Sequence, residues 1–426
     1  MKKRKTIIII FGLLFLFWLC VHIIEPWIDA KIHPVPSVRH IINLDGRKYH
    51  LYWGDLHGHS GLSPDAFYYT PDHFYRYGRE VAKLDFAALT DHDAPWGLAR
   101  NPEWWEKVKT AAAQHYEPGR FVTFIAFEWT SGSGLDKFLH TLMRRNKWAF
   151  QNDPAHFGHR NVYFPTDQAP DHVFSNDDPR YDTPEKLWAA MKPYGAISIP
   201  HHPLGGPVYP FIWDRYSEEF EPVVEIYSYH GNSECDGCPA EIYSSYRNGR
   251  HSVRAPLDDG KHFGFIASTD CHQGRAGNYT APYYLIDFLR MFYRGKRVPG
   301  QGTAAVYAEE LTRESIFNAL RARRVYATTG ARIILDVRAN DIFMGNRLHA
   351  GSNPVIITIY AKTLLPISRI EIIKNGRTIK TFKELNETVS LKYKDVDREK
   401  AEDYIYIRLT QRDSHMAWSS PVWIAE

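Results

Sequence analysis

Short apolar runs that stop on a polar, metal-competent side chain recur between residues 53 and 274: WGDLHGHS, ALTDHD, FIAFEWT, GHRNVYFP, ISIPHHP, EIYSYHG and IASTDCHQG. The apolar stretches near 49–56, 85–90, 121–128, 161–164, 196–200, 223–228 and 263–269 have the length of strands, and helical stretches alternate with them. Helix starts are marked at Asn101-Pro102-Glu103 and Thr183-Pro184-Glu185, each with an N-cap, a first-turn proline and an early acid. Strands and helices in alternation argue for the α/β class. A barrel of parallel strands would gather the polar strand ends at one mouth.

The pattern changes twice along the chain. Residues 311–324, LTRESIFNALRARR, read as a basic amphipathic helix whose Arg313, Arg321, Arg323 and Arg324 form a solvated face. After about residue 331 come short β-rich segments with no helix between them, and Asn375-Gly376 marks a hairpin. Residues 47–330 are therefore expected to form the barrel and residues 331–426 a small antiparallel β-sandwich. At the other end, Lys2, Lys3, Arg4 and Lys5 precede the uncharged apolar run Ile7–Ile24. A helix of that length spans about 27 Å, enough for a hydrocarbon core. Residues 1–30 thus read as a basic cytoplasmic tail and a transmembrane helix, followed by a linker at 31–46. The flanking charge puts the rest of a single-pass chain outside the cytoplasm, periplasmic or extracellular. A cleaved signal peptide is the rival, and no small-x-small site follows Ile24.

Charge removes one class of function. A net charge of +3 and a pI near 8.4, with no Lys/Arg block beyond the N-terminus, exclude a nucleic-acid partner. Four cysteines add little chemistry. Cys20 lies in the apolar run, and Cys235 and Cys238 form a CxxC in a polar loop, where a local disulfide is favoured. Cys271 sits between Asp270 and His272, so on extended backbone it points away from both.

The candidate chemistry is that of a metal-dependent hydrolase. His57 and His59, two apart, face one side of a strand, and Asp55 before them is placed to orient an imidazole. Asp65 follows in a loop from which a carboxylate can swing onto an ion. Asp91-His92-Asp93 closes FAALT, and Glu128 ends FVTFIAFE, where an unpaired charge would be costly. His159 abuts a strand, with His140 and His156 as nearby rivals. His201 and His202 end AISIP; one is expected as a ligand and the other facing substrate or supporting it. Asp270 and His272 form a second pair two apart.

In this order the motifs resemble the PHP superfamily (polymerase and histidinol phosphatase). GDLHGHS, TDHD, FEWT, GHRNVYF, EIYSYHG, STDCHQGRAG and RRVYATTG are similar to its membrane or secreted branch, which carries a C-terminal β-sandwich and includes carbaryl-hydrolase-type metallohydrolases. The resemblance covers about residues 47–426. It implies a distorted (β/α)7 barrel with two or three divalent ions. His57, His59, Glu128 and Asp270 would hold one; Glu128 would bridge to a second on His159 and His201 (or His202); Asp65, His92 and His272 would hold a third. Imidazole and carboxylate ligands suit Zn, Mn or Fe. Arg275 is a candidate clamp for an anionic group and His230 a candidate general acid. The expected activity is phosphoester hydrolysis of a small-molecule or cell-envelope ester by hydroxide generated at the ions. Carboxylic ester or carbamate hydrolysis is the alternative on the same site, and a non-catalytic metal-containing binding module the alternative of another class.

Overall fold

In a computed structural model of the full chain, the residues described are 12, 39–66, 69–94, 96–131, 157–204, 211–240, 249–278, 301–351 and 353–426. The predicted membrane span at 7–24 lies outside them apart from Gly12, as do His140 and His156. Among the described residues no helix is long and apolar enough to cross a membrane.

The first region is mixed α/β. Its strands are β1 (Ile41–Leu44), β2 (Arg47–Asp55), β3 (Phe86–Ala88), β4 (Val122–Trp129), β5 (Arg160–Phe164), β6 (Ile197–Pro200), β7 (Val223–Ser228), β8 (Gly231–Asn232), β9 (Gly264–Ala267), β10 (Thr303–Ala308) and β11 (Val325–Thr328). Its α-helices among the described residues are α1 (Pro71–Glu80), α2 (Pro102–Gln114), α3 (Pro184–Met191), α4 (Arg254–Asp258) and α5 (Arg313–Arg321). Thr70, Thr183 and Thr312 cap α1, α3 and α5 by accepting from a backbone N–H three residues on. Asn101 differs: it stands before Pro102 of α2 without capping by its side chain, and its amide faces the Gly97 carbonyl at 3.5 Å instead.

The strands do not all run parallel, which corrects the expectation of a parallel barrel. β2, β3 and β4 are parallel neighbours, and so are β7 and β9. β5 runs antiparallel to both β4 and β6. β10 returns antiparallel to β2 and pairs with β11. Close approach sets the β2–β3 spacing: a Cβ on Gly54 would fall 2.2 Å from the Phe86 ring, so any side chain there would push β3 away.

The C-terminal region is all β, as expected, but it is not hydrogen-bonded separately. Its strands are β12 (Ile334–Ala339), β13 (Ile342–Phe343), β14 (Arg347–His349), β15 (Val355–Lys362), β16 (Ile367–Lys374), β17 (Arg377–Leu385), β18 (Thr388–Asp395), β19 (Glu402–Gln411), β20 (Met416–Ser419) and β21 (Val422–Ala425). β20 pairs with β11, so one 14-stranded sheet runs from β14 through β21, β19, β20, β11 and β10 to β2 and on to β6. The opposing sheet is β13-β12-β15-β18. Along β15 every second side chain is buried, the period of a strand with one covered face. Val337, Ile357 and Ile359 from that sheet share a core with Ile370, Ile372 and Ile407, and this core continues onto Trp53, Tyr307 and Tyr326 of the first region.

The basic helix is also corrected. Arg313 is 4% exposed, bonds the Thr123 carbonyl at 2.7 Å and pairs with Asp167 at 2.5 Å. Arg323 and Arg324 are half-buried against the Gly345 and Tyr307 carbonyls, and Arg321 alone is exposed.

A buried acid locks the two regions together. Glu234, between β8 and the Cys235–Cys238 disulfide, is fully buried. It accepts from Arg254 at 2.7 Å, Tyr406 at 2.7 Å, Arg408 at 2.9 Å and Trp418 at 2.9 Å. Burial pushes its pKa up, but Arg408 and Arg254 outweigh that and hold it below the ordinary carboxylate range. Glu234→Ala leaves both guanidinium groups without this counter-charge. It should destabilise the chain by about 3–5 kcal/mol in denaturant unfolding, as breaking a buried pair does. A change within about 0.5 kcal/mol, typical of surface substitutions, would contradict that role.

Candidate metal centre

Backbone pairing at the strand ends brings the two spaced motifs together. Gly58 and Cys271 form a parallel β-bridge, and so do His92 and Glu128. His59 N donates to the Cys271 carbonyl at 2.7 Å, Asp270 N to the His57 carbonyl at 2.8 Å, and Gly274 N to the His59 carbonyl at 2.9 Å. Asp93 N and Glu128 N tie the ends of β3 and β4 in the same way, to the Glu128 and Asp91 carbonyls. Cys271 turns away, as its place in the alternation predicts. Its thiol donates to the Arg275 carbonyl and packs in the apolar cluster around Phe74.

Glu128 stands at the centre of this pocket with 1% exposure. Its Oε2 lies 3.2 Å from His57 Nε2 and 3.4 Å from His59 Nε2. Its Oε1 lies 2.8 Å from His159 Nδ1, 3.3 Å from His92 Nδ1 and 3.3 Å from His201 Nε2. Asp270 Oδ1 is 3.3 Å from His57 Nε2 and 3.4 Å from His59 Nε2. Asp65, whose side chain is half exposed, reaches in from its loop: Oδ2 sits 2.9 Å from His272 Nε2 and 3.2 Å from His92 Nε2. Among the described residues, four triplets bring their ligand atoms within 4.8 Å of one another: His59, His92 and His272; His159, His201 and His202; His57, His59 and Glu128; His202, His230 and Asp270.

The supporting bonds decide which ring nitrogen faces the pocket. Ser63 donates its hydroxyl proton to Asp91 at 3.0 Å and accepts from His92 N at 3.0 Å. Its remaining lone pair meets His59 Nδ1 at 3.0 Å, so His59 carries its proton on Nδ1. His59 Nε2, buried and without a hydrogen-bond partner, keeps a free lone pair. Glu225 Oε2 meets His57 Nδ1 at 3.0 Å and Glu128 Oε2 meets its Nε2 at 3.2 Å; burial lowers the pKa of this ring, but Asp270, Glu225 and Glu128 outweigh that and hold it well above the ordinary imidazole range. Asp55 has another task than the one expected of it. It accepts from Thr269 N, Thr269 Oγ1 and Gly277 N at 2.9, 2.6 and 2.8 Å, and so ties the Asp270 turn to β2. Asp93 accepts from Thr130 N at 2.8 Å and Asn176 N at 2.6 Å. Asp270 and His202 adopt φ of 55° and 32°, sparsely populated for residues with a Cβ, and the bond from Asp270 N to the His57 carbonyl holds the first.

The residues present fit a divalent cation. Burial, followed by the nearby His272 and His92, pushes the His59 imidazolium down to about 3; burial and His57 do the same to His201. Both rings are therefore neutral at physiological pH. Burial raises Glu128 and Asp270, but the imidazoles around them, His92 first at Glu128 and His57 first at Asp270, outweigh it, and both stay well below the usual carboxylate range. Neutral imidazole and ionised carboxylate are the forms that bind metal. His201 has both ring nitrogens buried without a hydrogen bond, which is costly, and a cation would meet the lone pair of one of them.

Two candidates outside the ligand set are placed as follows. His230 was expected as an acid toward a leaving group; its Nε2 lies 3.0 Å from Asp270 Oδ2, inside the cluster. Arg275 was expected as an anion clamp, and its side chain leads to aromatic rings. It is 1% exposed, donates to Tyr69 Oη at 3.3 Å and stacks 5.5 Å from the Tyr69 ring and 5.7 Å from that of Tyr77. Sequence reading passed over Glu225 and Ser63. Glu225 was open to detection, because an acid inside the apolar strand VVEIYS carries the same signal as Glu128. Ser63, in a polar loop, has no such signal.

A family model described as a protein of unknown function (DUF3604) matches residues 99–241 and 259–358, more than half of the chain. The chain belongs to the DUF3604 family. The matched span takes in Glu128, His159, His201, His202, His230, Asp270 and His272, starts after His57, His59, Asp65 and His92, and runs into the C-terminal β region. Similar curated proteins are uncharacterised ones of Chlamydia pneumoniae, 26% identical over 394 residues, and of Chlamydia trachomatis, 27% identical over 399. Each covers 88% of this chain, which spans 57% of the relative's length. A solved structure is similar at 14% identity and a TM-score of 0.43, covering 91% of this chain and 99% of the other: a two-domain protein containing predicted PHP-like metal-dependent phosphoesterase from Bacteroides vulgatus.

In this DUF3604 protein, Glu225→Gln replaces a carboxylate acceptor by an amide at His57 Nδ1. Zinc affinity, measured by chelator competition, should fall about 10–100-fold, the usual cost of losing a ligand's supporting partner. Unchanged affinity would show that the Glu225–His57 contact does not tune the pocket.

Proposed function

We propose that this chain is a metal-dependent hydrolase of the PHP type, a phosphoesterase held to the membrane by residues 7–24 with its catalytic region outside the cytoplasm. The observation that carries the reading is Glu128, whose two carboxylate oxygens face two different sets of imidazoles. A carboxylate divided in that way suits two cations side by side. His57, His59, Glu128 and Asp270 would hold one, Glu128, His159 and His201 the next, and Asp65, His92 and His272 a third. The donors are nitrogen and oxygen with no sulfur, which suits Zn, Mn or Fe. The strands β2 to β7 and β9 would correspond to the distorted barrel of that superfamily.

Cations bound there would supply Lewis-acid polarisation and a water acidic enough to ionise near neutral pH. The chain's own residues do the rest. Ser63 keeps the proton of His59 on Nδ1, away from the pocket, and Glu225 holds Nδ1 of His57. Asp55, Asp91 and Asp93 hold the strand-end loops, so the donors are positioned before substrate arrives. Apolar strand interiors beneath the pocket keep bulk water out. The substrate class is a small-molecule or cell-envelope ester. No basic tract supports nucleic acid. A binding module without activity would not need the complete donor set.

Full-length protein, purified in detergent, stripped with a chelator and reloaded with Zn, Mn or Fe, tests the reading on phosphomonoesters, phosphodiesters and carboxylic esters. Hydrolysis of a phosphoester should vanish on stripping and return on reloading; turnover confined to carboxylic esters or carbamates would replace the phosphoesterase reading. Glu128→Ala should lower metal content by more than one ion per chain. It should also cut turnover by more than about 100-fold, beyond the cost of losing a supporting partner. Full occupancy with near-normal turnover in that variant would remove Glu128 from the bridging role. Recovery of uncleaved full-length protein without detergent would remove the anchor.

A further inference from the structure

Asp270 has a second side that the three ion positions leave unused. Its Oδ1 faces His57 and His59, while its Oδ2 turns the other way, 3.0 Å from His230 Nε2. On that side His202, His230 and Asp270 each offer a ligand atom within 4.8 Å of the others. The rings of His202 and His230 stand 5.1 Å apart at 82°, so they approach a shared point from different directions. His202 is 9% exposed, and its Nδ1 is buried without a hydrogen-bond partner. The neighbouring His201 is the one that faces Glu128, at 3.3 Å. His202 also lies within reach of His159 and His201, and of the adjacent pair it is the one grouped with His230 and Asp270.

We propose that His202, His230 and Asp270 Oδ2 form a further divalent-cation position, joined to the His57–His59 position through Asp270 as the others are joined through Glu128. The proposal rests on the reading of the pocket as a metal centre. Carboxylate and two imidazoles leave open coordination positions for water or a substrate oxygen. The position is also more accessible: the His230 side chain keeps 17% exposure, against 2% or less for His57, His59 and Glu128. A cation there should exchange faster than one at the centre of the pocket and fill last in a titration.

Stripped full-length protein, equilibrated with excess zinc and freed of unbound metal, is assayed for zinc per chain. His230→Ala is expected to hold one equivalent fewer than the wild type and to lose the weakest class in a zinc titration. Wild-type stoichiometry in a folded His230→Ala variant would overturn the proposal and leave the metal-centre reading intact. Loss of all zinc in that variant would also overturn it, because the position would then not be separable. A wild type that binds no zinc, manganese or iron would bring down the metal-centre reading first and this position with it. Anomalous scattering from zinc-grown crystals of the wild type asks the same question without a substitution. A peak between His202, His230 and Asp270 supports the position; peaks at Glu128 with none there overturn it.

Discussion

The pocket is organised around the buried charge of Glu128. An ionised carboxylate out of water is tolerated only where partners replace its hydration. Here five imidazoles surround it, from His57 and His59 after β2, His92 after β3, His159 before β5 and His201 after β6, with His159 Nδ1 the closest at 2.8 Å. Because those strand ends must converge on one side chain, the strands are held in register by direct pairing of Gly58 with Cys271 and His92 with Glu128. The same need accounts for three further buried acids. Asp55, Asp91 and Asp93 bond backbone and hydroxyl groups of the loops and leave the imidazoles to the pocket.

The C-terminal sandwich is part of this arrangement. β20 continues the sheet of β11, and Arg408, Tyr406 and Trp418 close on Glu234, four residues after His230. The disulfide between Cys235 and Cys238 closes the loop beyond that acid. The wall bearing His230 is thereby fastened to strands far away in sequence. The family match that runs to residue 358, past the change in pattern near 331, is consistent with a unit larger than the first region.

Much of this was legible in the sequence, and what was not has physical reasons. Apolar runs ending on His, Asp or Glu marked the strand ends, because a buried strand closing on a charged group needs a partner for that group. The direction of β5 was hidden: a five-residue buried strand reads the same whether its neighbours are parallel or not. Arg313 was read as solvated because helical periodicity reports a face, not whether a carboxylate such as Asp167 waits beyond it. Asp55 sat next to His57 in sequence, yet the ring's partner is Glu225, 168 residues on, which no local spacing reveals. Arg275 was placed by its neighbourhood to the DxH pair, but its stem leads back to Tyr69 and Tyr77. The continuity of the sheet from β11 to β20 likewise depends on strands about ninety residues apart.

Whether cations share Glu128 can be read from zinc K-edge absorption of the zinc-loaded full-length protein. The expected spectrum has a first shell of nitrogen and oxygen only, imidazole scattering beyond it, and a metal–metal vector of about 3.5–4 Å from cations on one carboxylate. An oxygen-only shell without imidazole scattering, or a shell containing sulfur, would contradict a centre built on these histidines.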